Sequence, residues 1–139
     1  VKLRAGDEGD LPLVLIHPIG CDIYFYRELA QHMGSCRTIY AIRSELLSGT
    51  YLFESIKQLA KEYPTLLAPV LARGECCLAG SSFGGIIAFE MALKYYEEKH
   101  TSLPVVKIDS PCQGNLPVAM TDEQILDNLL SFGPVTLDI

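Results

Sequence analysis

No stretch of this chain approaches the roughly 20 consecutive apolar residues that a membrane-spanning helix requires, so no membrane association is expected. The amino terminus, Val1-Lys2-Leu3-Arg4, has no apolar signal region behind it, and a cytoplasmic location is the expectation that follows. Positive charge is scarce, with 11 Lys and Arg against 17 Asp and Glu and a net charge of −6. The basic residues form no stripe along the chain. Nucleic-acid affinity rests on clustered Lys and Arg, so no nucleic-acid partner is expected. The five cysteines (Cys21, Cys36, Cys76, Cys77 and Cys112) are odd in number and contain no C-x-x-C pair. Neither a disulfide framework nor a metal site is suggested, and reduced, mostly buried thiols are expected. Internal repeats and low-complexity segments are absent as well.

Hydrophobic residues, by contrast, are plentiful. They make up 49% of the 139 residues and charged residues 20%, which suits one folded domain over residues 1–139. Short continuous apolar runs alternate with longer amphipathic ones. Leu11-Pro12-Leu13-Val14-Leu15-Ile16 reads as a strand buried on both faces, ended by the loop His17-Pro18-Ile19-Gly20. Residues 24–33 read as a helix with Phe25, Leu29 and Met33 on one face, stopped by Gly34. A second strand is expected over 38–42, where β-branched and aromatic residues concentrate. A long helical pattern runs from Phe53 to about Leu71, with Pro64 inside it to kink or split it. A third strand covers 76–79, a helix runs from Ile86 to about Lys99 with Ile87, Met91 and Tyr95 aligned, and a fourth strand covers 105–108. Thr121-Asp122-Glu123-Gln124 has the form of a capping box, opening a helix over about 121–132 that Pro134 ends. Strands and helices in strict alternation imply an α/β fold with a mostly parallel sheet, flanking helices and right-handed crossovers.

One turn carries the chemistry. Gly80-Ser81-Ser82-Phe83-Gly84 fits G-x-S-x-G, in which a serine stands on a sharp strand-to-helix turn. The residues two before and two after that serine approach one another, so Gly80 and Gly84 must lack bulk. The turn lifts the Ser82 hydroxyl beyond the strand and points a helix amino terminus at developing negative charge. The pattern alone arises by chance in roughly one chain of this size in twenty. Its context here, an apolar strand before and an apolar-faced helix after, is the one the chemistry needs. The competing reading is a glycine-rich turn of an ordinary α/β domain. Asp109, at the carboxyl end of the next strand, lies on the same sheet edge and is a candidate for the acid that orients a catalytic base. From position alone it is equally a surface aspartate in a strand-end turn.

Three stretches give the chain a family resemblance: residues 13–20 (Leu-Val-Leu-Ile-His-Pro-Ile-Gly), residues 80–92 (Gly-Ser-Ser-Phe-Gly-Gly-Ile-Ile-Ala-Phe-Glu-Met-Ala) and Ile108-Asp109-Ser110-Pro111. It resembles the type I, chain-terminating thioesterase domains of modular polyketide and nonribosomal peptide synthases, within the α/β-hydrolase superfamily. The resemblance implies Ser82 as nucleophile, Asp109 as the acid, and an oxyanion hole made by the backbone amides of Ile19 and Phe83. It implies a substrate carried as a thioester on the phosphopantetheine arm of an acyl or peptidyl carrier protein, with no cofactor of the domain's own. The helix over 121–132 would begin a lid over the acyl chain. Cys21 stands where the family usually has a second glycine, a departure from its oxyanion loop.

The resemblance also exposes what is missing. In this fold the order is Ser, Asp, His, and no histidine follows Asp109. His17 belongs to the oxyanion loop, where packing or hydrogen bonding of its ring is the expected role. His32 lies on a helix and His100 after one, and both are expected to be exposed. The expectation is an incomplete hydrolase domain, inactive alone, whose histidine lies beyond these residues. Two alternatives stay open: another serine esterase or acyl-CoA thioesterase, and a non-catalytic carrier-binding or degenerate fragment.

Overall fold

The computed structural model describes residues 1–7, 9–19, 22–34, 36–44 and 55–111. Within them the chain runs β1 (Lys2–Arg4), β2 (Leu13–Ile16), α1 (Phe25–His32), β3 (Ile39–Ile42), α2 (Ile56–Leu71), β4 (Cys77–Ser81), α3 (Phe83–Lys99) and β5 (Val105–Ile108). The expected helix over 121–132, Cys21 and Cys112 lie outside the described residues. The five strands form one sheet in the order β1-β3-β2-β4-β5. β2, β3, β4 and β5 are parallel, and β1 is antiparallel to β3 at the edge. The α/β reading with a mostly parallel sheet therefore holds. β1 is an addition: it is three residues long and two of them are charged, which leaves no apolar run to detect.

Side chains alternate across a strand, so each central strand supplies both faces of the sheet. Val14, Ile16, Ile42 and Leu78 point to one face and pack with Leu59, Ala60, Tyr63, Leu67 and Val70 of α2 and Ile87, Ala88 and Met91 of α3. Leu13, Leu15, Ile39, Ala41, Cys77 and Ala79 point to the other, against Ile23 and against Tyr26 and Ala30 of α1. Covering both faces is what makes the strands continuously apolar. Each large aliphatic side chain taken fully out of water contributes about 1.5–3 kcal/mol. Among the described residues no helix is long and apolar enough to cross a membrane.

Three expectations change in detail. The buried stripe of α1 is Tyr26 and Ala30, with Leu29 and Met33 partly buried, while Phe25 is 47% exposed. The ring of Tyr26 fills that place because its hydroxyl finds buried partners. α2 is a single helix through Pro64 and also Pro69, so the split does not occur. Its buried positions recur on one side along the whole length, and tertiary packing of that side outweighs the backbone bond each proline removes. Ser55 caps it, accepting from the Gln58 amide at 3.2 Å. Finally, α3 starts at Phe83, three residues before the sequence pattern, because Gly84 and Gly85 hide the start of the periodicity.

Candidate active site

The carboxyl ends of β2, β4 and β5 meet at one edge of the sheet. β4 runs straight into α3, and Ser82 is the single residue between them. Its backbone stands at φ 51°, ψ −120°, a conformation that side-chain-bearing residues rarely adopt and that costs about 1–3 kcal/mol. A serine before a helix ordinarily caps it through its hydroxyl. Ser82 makes no such bond, and the residue is exposed. The hydroxyl of this strained, exposed residue is thus not spent on capping the helix that follows.

The glycines around Ser82 are required by contact. A Cβ on Gly80 would overlap the Gly84 carbonyl and approach the Gly85 nitrogen. On Gly84 it would collide with the Ile16 carbonyl oxygen and stand 2.6 Å from that of His17. Gly85 faces the Ser110 side chain just as closely. So the turn closes on itself through Gly80 and Gly84, and also seats against the end of β2 through Gly84.

Asp109 follows β5 directly, at φ 47°. Ser81 is paired with Ile108, and the Ser82 amide donates to the Ile108 carbonyl at 2.9 Å, so Ser82 and Asp109 occupy neighbouring positions on the edge. Asp109 is exposed. Ser110 ties the two turns together. Its hydroxyl lies 2.7 Å from the Ser82 carbonyl oxygen and 3.3 and 3.4 Å from those of Ile108 and Gly80. With one proton to give, it donates to the nearest, the Ser82 carbonyl.

Ile19 sits in the loop after β2 and is 49% exposed. Phe83 is the first residue of α3, so its amide belongs to the helix's first turn, where the dipole is positive. The loop is anchored by His17, which is fully buried. Its Nδ1 lies 2.7 Å from the Pro18 carbonyl oxygen and its Nε2 lies 2.6 Å from the Tyr63 hydroxyl. A carbonyl only accepts, so Nδ1 carries the proton, and Nε2 accepts from Tyr63. Burial pushes the ring's pKa below its ordinary 6.5, and the Pro18 bond opposes this in part. The ring therefore holds its loop as a neutral group, the role expected of it.

A second tyrosine serves the other face. Tyr26 is fully buried, and its hydroxyl donates to the Ile16 carbonyl at 2.7 Å and accepts from the Ser81 amide at 2.8 Å. Burial raises its pKa above the ordinary 10.0, with the Ser81 amide opposing. The sequence reading missed Tyr26, Tyr63 and Ser110. None lies inside the glycine–serine pattern, and each acts through a contact made only after the chain folds.

The other histidines are remote from Ser82. His100 closes the far end of the 17-residue α3, about 25 Å away along the helix. His32 bonds its own helix at the Glu28 carbonyl, 2.8 Å. It ends α1 near Arg4, which donates to the Ala30, Met33 and Arg37 carbonyls at the opposite edge of the sheet. Of the described thiols, Cys76 and Cys77 are buried and Cys36 is exposed. Burial raises Cys76 to about 11, which leaves it inert. Among the described residues no three His, Cys, Asp or Glu side chains gather as metal ligands.

A mostly parallel sheet, one of whose inner strands passes through a strained serine turn into a helix, with glycines at the points of closest approach, defines the α/β-hydrolase class. The sequence matches the family described as Thioesterase domain over residues 11–131, and the chain belongs to that family. It is 32% identical over 132 residues to the thioesterase frbE of Dothideomycetidae sp. (strain 11243), covering 88% of this chain and 48% of that protein. Among solved structures, it is similar to the four-domain nonribosomal peptide synthetase holo-AB3403, bound to AMP and glycine (TM-score 0.77, 30% identity, 91% of this chain and 10% of that one). The NocB thioesterase domain in covalent complex with a fluorophosphonate nocardicin G analogue shares the fold (TM-score 0.72, 21% identity, 88% of this chain and 55% of that one). The chain spans about half the length of the frbE thioesterase, and 8–10% of the length of the synthetases and synthase that it also matches.

Proposed function

We propose that this chain is part of a thioesterase domain that releases an acyl, polyketide or peptidyl chain from the phosphopantetheine thioester of a carrier protein. The observation that carries the reading is the backbone of Ser82, held at φ 51° with its hydroxyl unused by the helix it precedes. Strain of this kind persists only where surrounding structure enforces it. It is what a nucleophile needs to stand clear of its own strand.

In this reading the Ser82 oxygen attacks the thioester carbonyl, and its proton passes to a histidine. The tetrahedral oxyanion is stabilised by the Ile19 and Phe83 amides, each such donor contributing about 2.7–4 kcal/mol. Collapse expels the pantetheine thiol and leaves an acyl group on Ser82. Water or a hydroxyl or amine of the chain itself then releases the product. Asp109 orients the histidine from the adjoining strand end. The base is not among the histidines of this chain. Both His17 nitrogens are engaged at 2.6 and 2.7 Å, and His32 and His100 stand at the wrong end of their elements. We assign it to residues of the native protein outside the present sequence.

The test is single-turnover transfer from an acyl-loaded carrier protein to the intact protein that contains this chain. Wild type should release the acyl group through a covalent acyl-enzyme, and Ser82→Ala should lower the rate at least 1,000-fold. Release at the wild-type rate by Ser82→Ala would show a non-catalytic role. Turnover of simple esters but not of carrier-bound chains would point to a general esterase instead.

A further inference from the structure

Parallel strands exchange hydrogen bonds with a two-residue period. Between β2 and β4 the phase of that ladder is set at its start, where the Cys77 amide donates to the Pro12 carbonyl at 2.8 Å. Stepping by two along each strand puts the next bonds of this type from residue 79 to residue 14, then from the Ser81 amide to the Ile16 carbonyl. The pairing of Leu13 with Cys77 through Ile16 with Gly80 keeps that register without a bulge. The Tyr26 hydroxyl stands at the last of these places. The Ser81 amide donates to the Tyr26 hydroxyl, and that hydroxyl donates to the Ile16 carbonyl.

We propose that the Tyr26 hydroxyl is a positioning group that bridges the ends of β2 and β4, and that it fixes how the nucleophile turn and the oxyanion loop stand to one another. The two residues thus joined are the ones next to the site: Ser81 precedes Ser82, and Ile16 leads through His17 and Pro18 to Ile19. A thioester carbonyl has to lie between these two segments, its carbon at Ser82 and its oxygen at the loop. The bridge is rigid, because Tyr26 is fully buried on α1 and its ring packs against Phe25 with centroids 4.1 Å apart. On the far side Gly84 is in contact with the Ile16 and His17 carbonyl oxygens. The end of β2 is therefore held between a hydroxyl and a glycine.

This inference rests on Ser82 being the nucleophile, and the experiment separates the two. In the intact protein, Ser82 is labelled with a fluorophosphonate, and the second-order limit and the saturation limit of the rate are measured. The same protein, labelled on backbone nitrogen, reports exchange of the Ser81 amide by NMR. Tyr26→Phe keeps the ring and removes the bridge. The saturated labelling rate should fall about 10- to 100-fold with the half-saturation concentration changed less than threefold. Ser81 exchange should speed up at least 10-fold while Leu78 and Ala79 stay as they were. Replacing Tyr26 by p-aminophenylalanine, which returns a donor at the same place, should recover part of the labelling rate. All rates are taken well below each variant's unfolding midpoint, so a loss of folded protein does not enter. Equal Ser81 exchange in Tyr26→Phe and wild type, or labelling of Tyr26→Phe at the wild-type rate, overturns the inference. Labelling that survives Ser82→Ala overturns the nucleophile reading instead, and the exchange measurement then still decides whether the bridge exists.

Discussion

The two faces of the sheet differ in how they reach the candidate site. Among the described residues, one is covered by two long helices, α2 and α3, and the other by the eight-residue α1, and each sends a tyrosine hydroxyl to the carboxyl edge. From the α2 face, Tyr63 holds a side chain, the ring of His17. From the α1 face, Tyr26 holds main chain, joining Ile16 to Ser81. A side-chain anchor fixes a loop and lets the strands beneath it pair as they would anyway. A main-chain anchor ties the strand ends themselves to one another. The short helix therefore has the more direct hold on the geometry of Ser82, although it buries less.

The sharpest way to break the edge is at the point between the two anchors. Gly84→Ala drives a Cβ into the Ile16 and His17 carbonyl oxygens, and both belong to backbone that has no rotamer to yield. We expect a loss of about 3 kcal/mol or more in unfolding free energy, by urea titration, at the upper end of what overpacking costs. Gly34→Ala is the control. Nothing lies within 4 Å of its added Cβ, and it should change stability by less than about 1 kcal/mol. Similar losses at the two positions would mean that the close approach of α3 to β2 is not fixed.

How much of this was legible beforehand follows the same division. The strands that are buried on both faces announced themselves as apolar runs, and G-x-S-x-G gave the turn because its glycines answer a local steric demand. Asp109 could be placed by strand order, since parallel strands bring their ends to one edge. What could not be read were the contacts between residues distant in sequence. The register of Phe25, Leu29 and Met33 suits a helix but selects the wrong aromatic, because Tyr26 is buried for its hydroxyl and not for apolarity. Pro64 reads as a break locally, yet the buried side of α2 continues through it. The three-residue β1 has too little pattern to register. The contacts of Tyr26, Tyr63 and Ser110 around the motif became visible only with the distances.

A smaller effect tests whether the two anchors are independent. Tyr63→Phe removes the proton that His17 Nε2 accepts and should cost about 1–3 kcal/mol, the penalty of leaving a buried acceptor unpaired. Combined with His17→Gln it should show a coupling of about 1 kcal/mol, because the partners share one bond. Combined with Tyr26→Phe, on the opposite face, the losses should add to within about 0.5 kcal/mol. Strong coupling between the two tyrosine substitutions would mean that the loop and the ladder move as one body, and the distinction between side-chain and main-chain anchors would fall.

The gentlest perturbation is protonation, and it addresses the α2 face alone. His17 is held neutral in the folded protein by burial, with its pKa below 6.5, while the unfolded chain titrates near that value. As pH falls through 6.5 the unfolded state takes up a proton that the folded state refuses, so stability drops. Above 6.5 neither state is charged there, and the contribution is constant. Below the folded pKa both are charged, and the loss levels off. The slope between the two cannot exceed one proton, about 1.4 kcal/mol per pH unit. The ring's hydrogen-bond partners are the Tyr63 hydroxyl and the Pro18 carbonyl, and comparison with a variant that lacks the ring isolates the slope that belongs to His17. The stability advantage of wild type over His17→Gln should therefore shrink between pH 7.5 and pH 5.5 in paired urea titrations, by no more than about 1.4 kcal/mol. An advantage that grew toward pH 5.5 would show a His17 ring that is charged in the fold, and would make Nε2 a donor to Tyr63 instead of an acceptor, while a flat one would mean that folding leaves the ring's pKa where it is in the unfolded chain.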